Sequence, residues 1–108
     1  MNYVSFTVGD KEYKLRLSTR AVIDLEKKLG CNPLSIFGNG DTIPTITAMI
    51  AILHASITQY QHNISLTDTY NIFDEYLMEH SMTDFIPVIL DIYKASGLIK
   101  QEEETEKN

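Results

Sequence analysis

Three histidines, one cysteine and fifteen acids are the residues of this chain from which a chemical site could be built. His54, His62 and His80 are spaced eight and eighteen residues apart. Zinc is held by Cys and His in closely spaced pairs, and none of these histidines has such a neighbour. They read as isolated side chains. Cys31 directly follows Gly30 at the end of a predicted helix. A reactive thiolate needs a helix N-terminus or a strong basic neighbour, and Lys27 and Lys28 are weak substitutes. A single thiol forms no intrachain disulfide, so nothing in the cysteine count demands an oxidising compartment.

The other signatures fail on spacing. Gly38-Asn39-Gly40 lacks the third glycine, the lysine and the preceding strand of a phosphate cradle. No Gly-x-Ser-x-Gly elbow occurs. Asp41 stands alone in its loop, unlike the acids of an EF-hand. Asn63-Ile64-Ser65 matches a glycosylation sequon by chance, because no secretory signal accompanies it. Asp74 and Glu75 fall on a predicted polar helix face. No catalytic residue, cofactor site or metal ligand is assigned, and the chain is expected not to be an enzyme.

With no chemistry to position, the elements themselves carry the information. Val4, Phe6 and Val8 alternate with polar residues, and so do Tyr13, Leu15 and Leu17. Two period-two runs around Gly9-Asp10-Lys11 predict a β-hairpin over residues 3–17. The turn falls at Asp10-Lys11 or at Gly9-Asp10, and either register puts all six apolar side chains on one face. A lone hairpin is marginal in water, so that face must meet a helix.

Ser18 predicts an N-cap, and Val22, Leu25 and Leu29 form the inward stripe of a first helix that Gly30 ends. Asn32-Pro33 opens a short turn, Leu34 to Phe37, whose apolar residues plug the end of the core. A second helix begins near Pro44, capped by Asp41 or Thr42. Its stripe is Ile46, Met49, Ile50, Leu53, Ile57 and Tyr60. No Asp, Glu, Lys or Arg occurs from Thr42 through Thr67, which places this helix at the centre.

Ser65-Leu66-Thr67-Asp68 predicts a capping box for a third helix. Leu66, Tyr70, Phe73 and Leu77 form its stripe, with Ile72 and Tyr76 widening it. A fourth helix runs from about Thr83 to Ser96. Pro87 lies near its first turn if Thr83 is the cap, and marks a kink if Ser81 is. Gly97 and Leu98 suit a Schellman ending. The fold class is thus α+β: an N-terminal antiparallel β-hairpin packed on a small bundle of about four α-helices.

Length and charge bound the rest. The 108 residues make one domain, 44% hydrophobic and 22% charged. Net charge is −6, of which residues 101–108 carry −3. That segment is expected to be an acidic disordered tail on a globular unit of residues 1–100. An acidic chain is a poor nucleic-acid binder and a poor ligand for an anionic membrane. The longest apolar stretch, Ile43 to Ile57, is too short and too polar to span a bilayer. The N-terminus lacks the features of a signal peptide. An intracellular soluble protein is expected.

Helices three and four carry apolar residues beyond one stripe: Ile72 and Tyr76 on one, Val88 and Ile92 on the other. That surplus makes these four the expected contacts of a protein partner, or of self-association.

Residues 8–17, Val-Gly-Asp-Lys-Glu-Tyr-Lys-Leu-Arg-Leu, run into Ser18-Thr19-Arg20-Ala21-Val22-Ile23-Asp24-Leu25-Glu26-Lys27-Lys28-Leu29-Gly30 and on to Cys31-Asn32-Pro33-Leu34-Ser35-Ile36-Phe37. This succession resembles the N-terminal signature of the tail assembly chaperones of long-tailed phages and prophages of Gram-positive bacteria. The resemblance covers residues 8–37. It implies a non-enzymatic factor that binds the tape measure protein, keeps that long apolar helical protein soluble and helps recruit tail tube subunits. It also implies action in the bacterial host cytoplasm and absence from the mature virion. Many such proteins are made in two lengths by a translational frameshift. The motif is structural and assigns no binding residue.

The alternative reading is a small acidic regulatory or adaptor protein acting through protein–protein contacts. Helices three and four, joined by Glu79-His80-Ser81, have the outline of a helix-turn-helix. The fourth helix offers Lys94 as its one base, however, where a recognition helix needs several polar or basic side chains.

Overall fold

Strand β1, Val4–Val8, pairs antiparallel with β2, Lys11–Leu15. The partners are Val4 with Leu15, Phe6 with Tyr13 and Val8 with Lys11, which leaves Gly9 and Asp10 as the two-residue turn. Gly9 has φ +63° and no other residue than glycine has positive φ among the described residues. Positive φ at the first central residue alone is the pattern of a type II′ turn, whose twist matches that of the strands. The computed structural model describes residues 2–38 and 42–100. The expected acidic tail, 101–108, and most of the loop at 38–41 lie outside them.

Gly9 is constrained twice. A Cβ built on it would lie 2.5 Å from Glu75 Oε2, on the third helix. The carboxylate can move, but the backbone cannot adopt another φ without changing the register. Gly9→Ala should therefore cost about 1–3 kcal/mol, the usual strain of a side chain in a sparsely populated region. Chemical denaturation of the variant checks this, and an unchanged midpoint would contradict it.

Four α-helices follow among the described residues: α1, Thr19–Leu29; α2, Ile46–Ile57; α3, Leu66–Tyr76; and α4, Phe85–Ala95. The α+β class expected from the sequence is the class found. Local chemistry accounts for most helix ends. The Ser18 hydroxyl accepts the Ala21 N–H at 3.1 Å, and Gly30 ends α1 in the left-handed region. Asn32 caps a 3-10 turn over Pro33–Phe37.

Ser65 and Asp68 exchange hydrogen bonds, both at 2.9 Å, in the expected capping box of α3. The N–H and hydroxyl of Ser65 hold the Asp68 carboxyl below its ordinary range. Its contribution to stability is therefore present above that range and fades as pH falls through the lowered value. At the end of α4 the Leu98 N–H donates to Tyr93 O and the Gly97 N–H to Lys94 O, the Schellman pair.

Two helix starts differ from expectation. The cap of α2 is Thr45, whose hydroxyl accepts the Ala48 N–H at 3.0 Å. Thr42 does not cap it, Asp41 lies outside the described residues, and Pro44 is buried just before the helix. Before α4, Ser81 and Asp84 form a second capping box around a 3-10 turn, Met82–Asp84. Pro87 is the third residue of α4 and cannot donate to the Thr83 carbonyl, so the turn before it takes the tighter form.

The apolar face of the hairpin closes the core as expected: Val4, Phe6, Val8, Leu15 and Leu17 are buried and Tyr13 is half-buried. Helix α2 is central, with Met49, Ile52, Leu53 and Ile57 sealed from solvent. It packs against α1, α3, α4 and β2. Three polar groups are paired across long chain separations. The Arg16 N–H donates to Ser56 O at 3.0 Å, and the Leu17 N–H to Ser96 Oγ at 2.8 Å. The Tyr93 hydroxyl donates to Pro33 O at 2.8 Å inside the core, and burial pushes its phenol well above the usual range. It stays a neutral donor at any ordinary pH.

Candidate functional site

The four residues expected to meet a partner do not form a surface. Ile72, Tyr76 and Ile92 are buried, at 9%, 5% and 0% exposure, and Val88 is half-buried against the core. The expectation erred because α3 and α4 have more to cover than each other. Phe6 of β1 meets Tyr76 at 5.2 Å between ring centroids, and Phe85 lies over Phe73, Tyr76 and Phe6. The hairpin absorbs the apolar surplus.

The consequence falls on the opposite arc of α3. Its buried residues are Thr69, Ile72, Phe73 and Tyr76. Leu66, Tyr70 and Leu77, expected to point inward, are 39%, 50% and 37% exposed. On a helix these three share one line with Phe73, at steps of four, three and four. They form one wall of an open apolar groove of about 450 Å³. The floor comes from α2, through Ile46, Thr47, Ile50 and Ala51. The other wall is the end of α1, Lys28 and Leu29.

A second cavity of about 270 Å³ shares Lys28, Leu29 and Thr47 with the first. It extends the groove past the start of α2 to Ile36, Ile43 and Pro44. Ile43 and Ile46 are 52% and 44% exposed. Of the eleven large apolar residues exposed among those described, five line these two joined cavities. A patch so concentrated is what distinguishes a binding surface from scattered exposed side chains.

The ionisable groups along the main length of the groove are Lys28, Asp74 and the Tyr70 phenol, and the Cys31 thiol lines its extension. Among the described residues no three His, Cys, Asp or Glu side chains are placed to hold a metal ion. The three histidines have different surroundings. His54 Nε2 lies 3.0 Å from Ile64 O, His80 stacks on Tyr76 with Nδ1 3.8 Å from Asp84, and His62 is exposed. Cys31 is a free, exposed thiol.

The signal for the groove was present in the sequence as the width of the apolar arc on α3. Leu66, Tyr70 and Leu77 belong to that arc but face the groove rather than the core. Ile43 carries no periodic signal, and Asp74 falls on the predicted polar face of its helix. No described helix is long and apolar enough to cross a membrane. No family model matches the chain, and no curated protein or solved structure is significantly similar to it.

Proposed function

We propose that this chain is a non-enzymatic tail assembly chaperone of a phage or prophage, acting in the host cytoplasm. In this reading it holds an apolar helical segment of the tape measure protein in the groove between α1, α2 and α3, and helps recruit tail tube subunits. The observation that carries the reading is the groove itself. An open trough lined by Ile46, Ile50, Leu66, Tyr70 and Leu77 suits the apolar face of a helix presenting side chains at i, i+3, i+4 and i+7. The resemblance of residues 8–37 to that family supplies the partner's identity. A net charge of −6 would keep a complex with an apolar client in solution.

Co-expression with the tape measure protein tests this directly. The native chain should raise the soluble fraction of that protein several-fold. Tyr70→Asp and Leu77→Asp place a charge on an exposed part of the wall, so the fold should survive while solubilisation is lost. A folded double variant that still solubilises the tape measure protein would remove the groove from the reading.

A further inference from the structure

We infer that the groove reads the flanks of the helix it holds, accepting one that is acidic along one side of its apolar stripe and basic along the other. The inference rests on the helix-binding reading above and adds to it the chemistry of the partner. Lys28 stands on the α1 wall and Asp74 on the α3 wall, with the apolar floor of α2 between them. Both are exposed, and among the described residues neither has an ion-pair partner within 4.0 Å.

A helix seated between these walls turns its apolar stripe to the floor and one flank to each wall. The flank toward α1 meets a cation and the flank toward α3 meets an anion. Turning the helix end for end exchanges its flanks. A helix with unlike flanks therefore gains two attractive contacts in one direction and meets two repulsive ones in the other. The two charges thus set the direction of docking while the apolar floor supplies the affinity.

The unlike charges of the two walls and the length of the groove describe the occupant as an amphipathic helix of a partner protein. The α3 wall is lined from Leu66 to Leu77, about 17 Å of helix rise, which matches a partner segment of roughly three turns.

Three synthetic helical peptides sharing one leucine stripe test the inference with the full chain. One carries Glu on one flank and Lys on the other, one carries Glu on both, and one carries Lys on both. Fluorescence anisotropy at low salt should rank the mixed peptide first, by about fivefold, the scale of one exposed charge contact changing sign. In Lys28→Glu both walls are acidic, and the peptide with Lys on both flanks should take first place. In Asp74→Lys the peptide with Glu on both flanks should do so. If all three proteins bind the peptides in one unchanged order, general charge attraction or the stripe alone governs binding, and the flank inference fails while the groove reading stands. If no peptide binds the native chain, the helix-binding reading itself fails.

Discussion

Ile92→Asp should leave the chain unfolded at room temperature, whereas Tyr70→Asp should leave it folded. Ile92 lies on α4 with no exposed surface. Removing its side chain forfeits the burial of a large aliphatic group, about 2–5 kcal/mol with the cavity included. Placing a carboxyl there adds several kcal/mol more, because nothing on this stretch of core offers it a cation or a set of donors. The sum rivals the whole stability of an ordinary domain, about 5–15 kcal/mol. Tyr70 is half exposed, and a carboxylate at that position keeps its water. Far-ultraviolet circular dichroism of the two purified variants decides the matter. A cooperative transition near the native midpoint for Ile92→Asp would show that α4 turns a different face to the core.

Phe85→Ala is expected to be the most damaging of the neutral truncations. Phe85 is the first residue of α4 and has no exposed surface. Its ring meets Phe73 at 5.3 Å and 89°, and Phe6 and Tyr76 each at 5.7 Å and 74°. These are edge-to-face contacts, in which the positive rim of one ring faces the negative face of the next. One side chain therefore joins β1, α3 and α4. Truncation should cost about 3–5 kcal/mol, a fall in melting temperature of roughly 12–40 °C for a domain near this size. Leu90→Ala, on the exposed side of the same helix, is the control and should change little. A shift of under about 5 °C for Phe85→Ala would mean that the rings do not form one packed cluster.

The contrast between Ile92 and Tyr70 shows where sequence reading succeeds in this chain and where it stops. The hairpin was legible because its period is two: once Val4, Phe6 and Val8 face one way, Ser5 and Thr7 must face the other. Helix ends were legible where one residue type does one job, as at Ser18, Ser65 and Gly97. They were not legible where candidates crowd, as at Asp41, Thr42 and Thr45, each of which has the chemistry of a cap. The rotation of α3 about its axis was the costly uncertainty. Leu66, Tyr70 and Leu77 make one apolar line, Ile72 and Tyr76 make another, and Phe73 belongs to both. Periodicity shows that both lines exist. Only the partner surface, here β1 and Phe85, decides which line is covered, and that surface lies more than fifty residues away in the chain for Phe6. The groove was hidden for the same reason, since it is the line left over.

The hydrogen bond from the Leu17 N–H to Ser96 Oγ has a consequence for how the protein is made. It joins the end of the hairpin to the last turn of α4, and Phe6 likewise waits for Phe85. During translation the apolar face of the hairpin is complete long before either partner exists. At about 5–20 residues per second the ribosome needs several seconds to supply them. Throughout that interval the nascent chain displays Val4, Phe6 and Val8 on an uncovered strand. A half-made chain lacks both partners, so the apolar face of the hairpin stays open to unrelated apolar surfaces until α4 has left the exit tunnel.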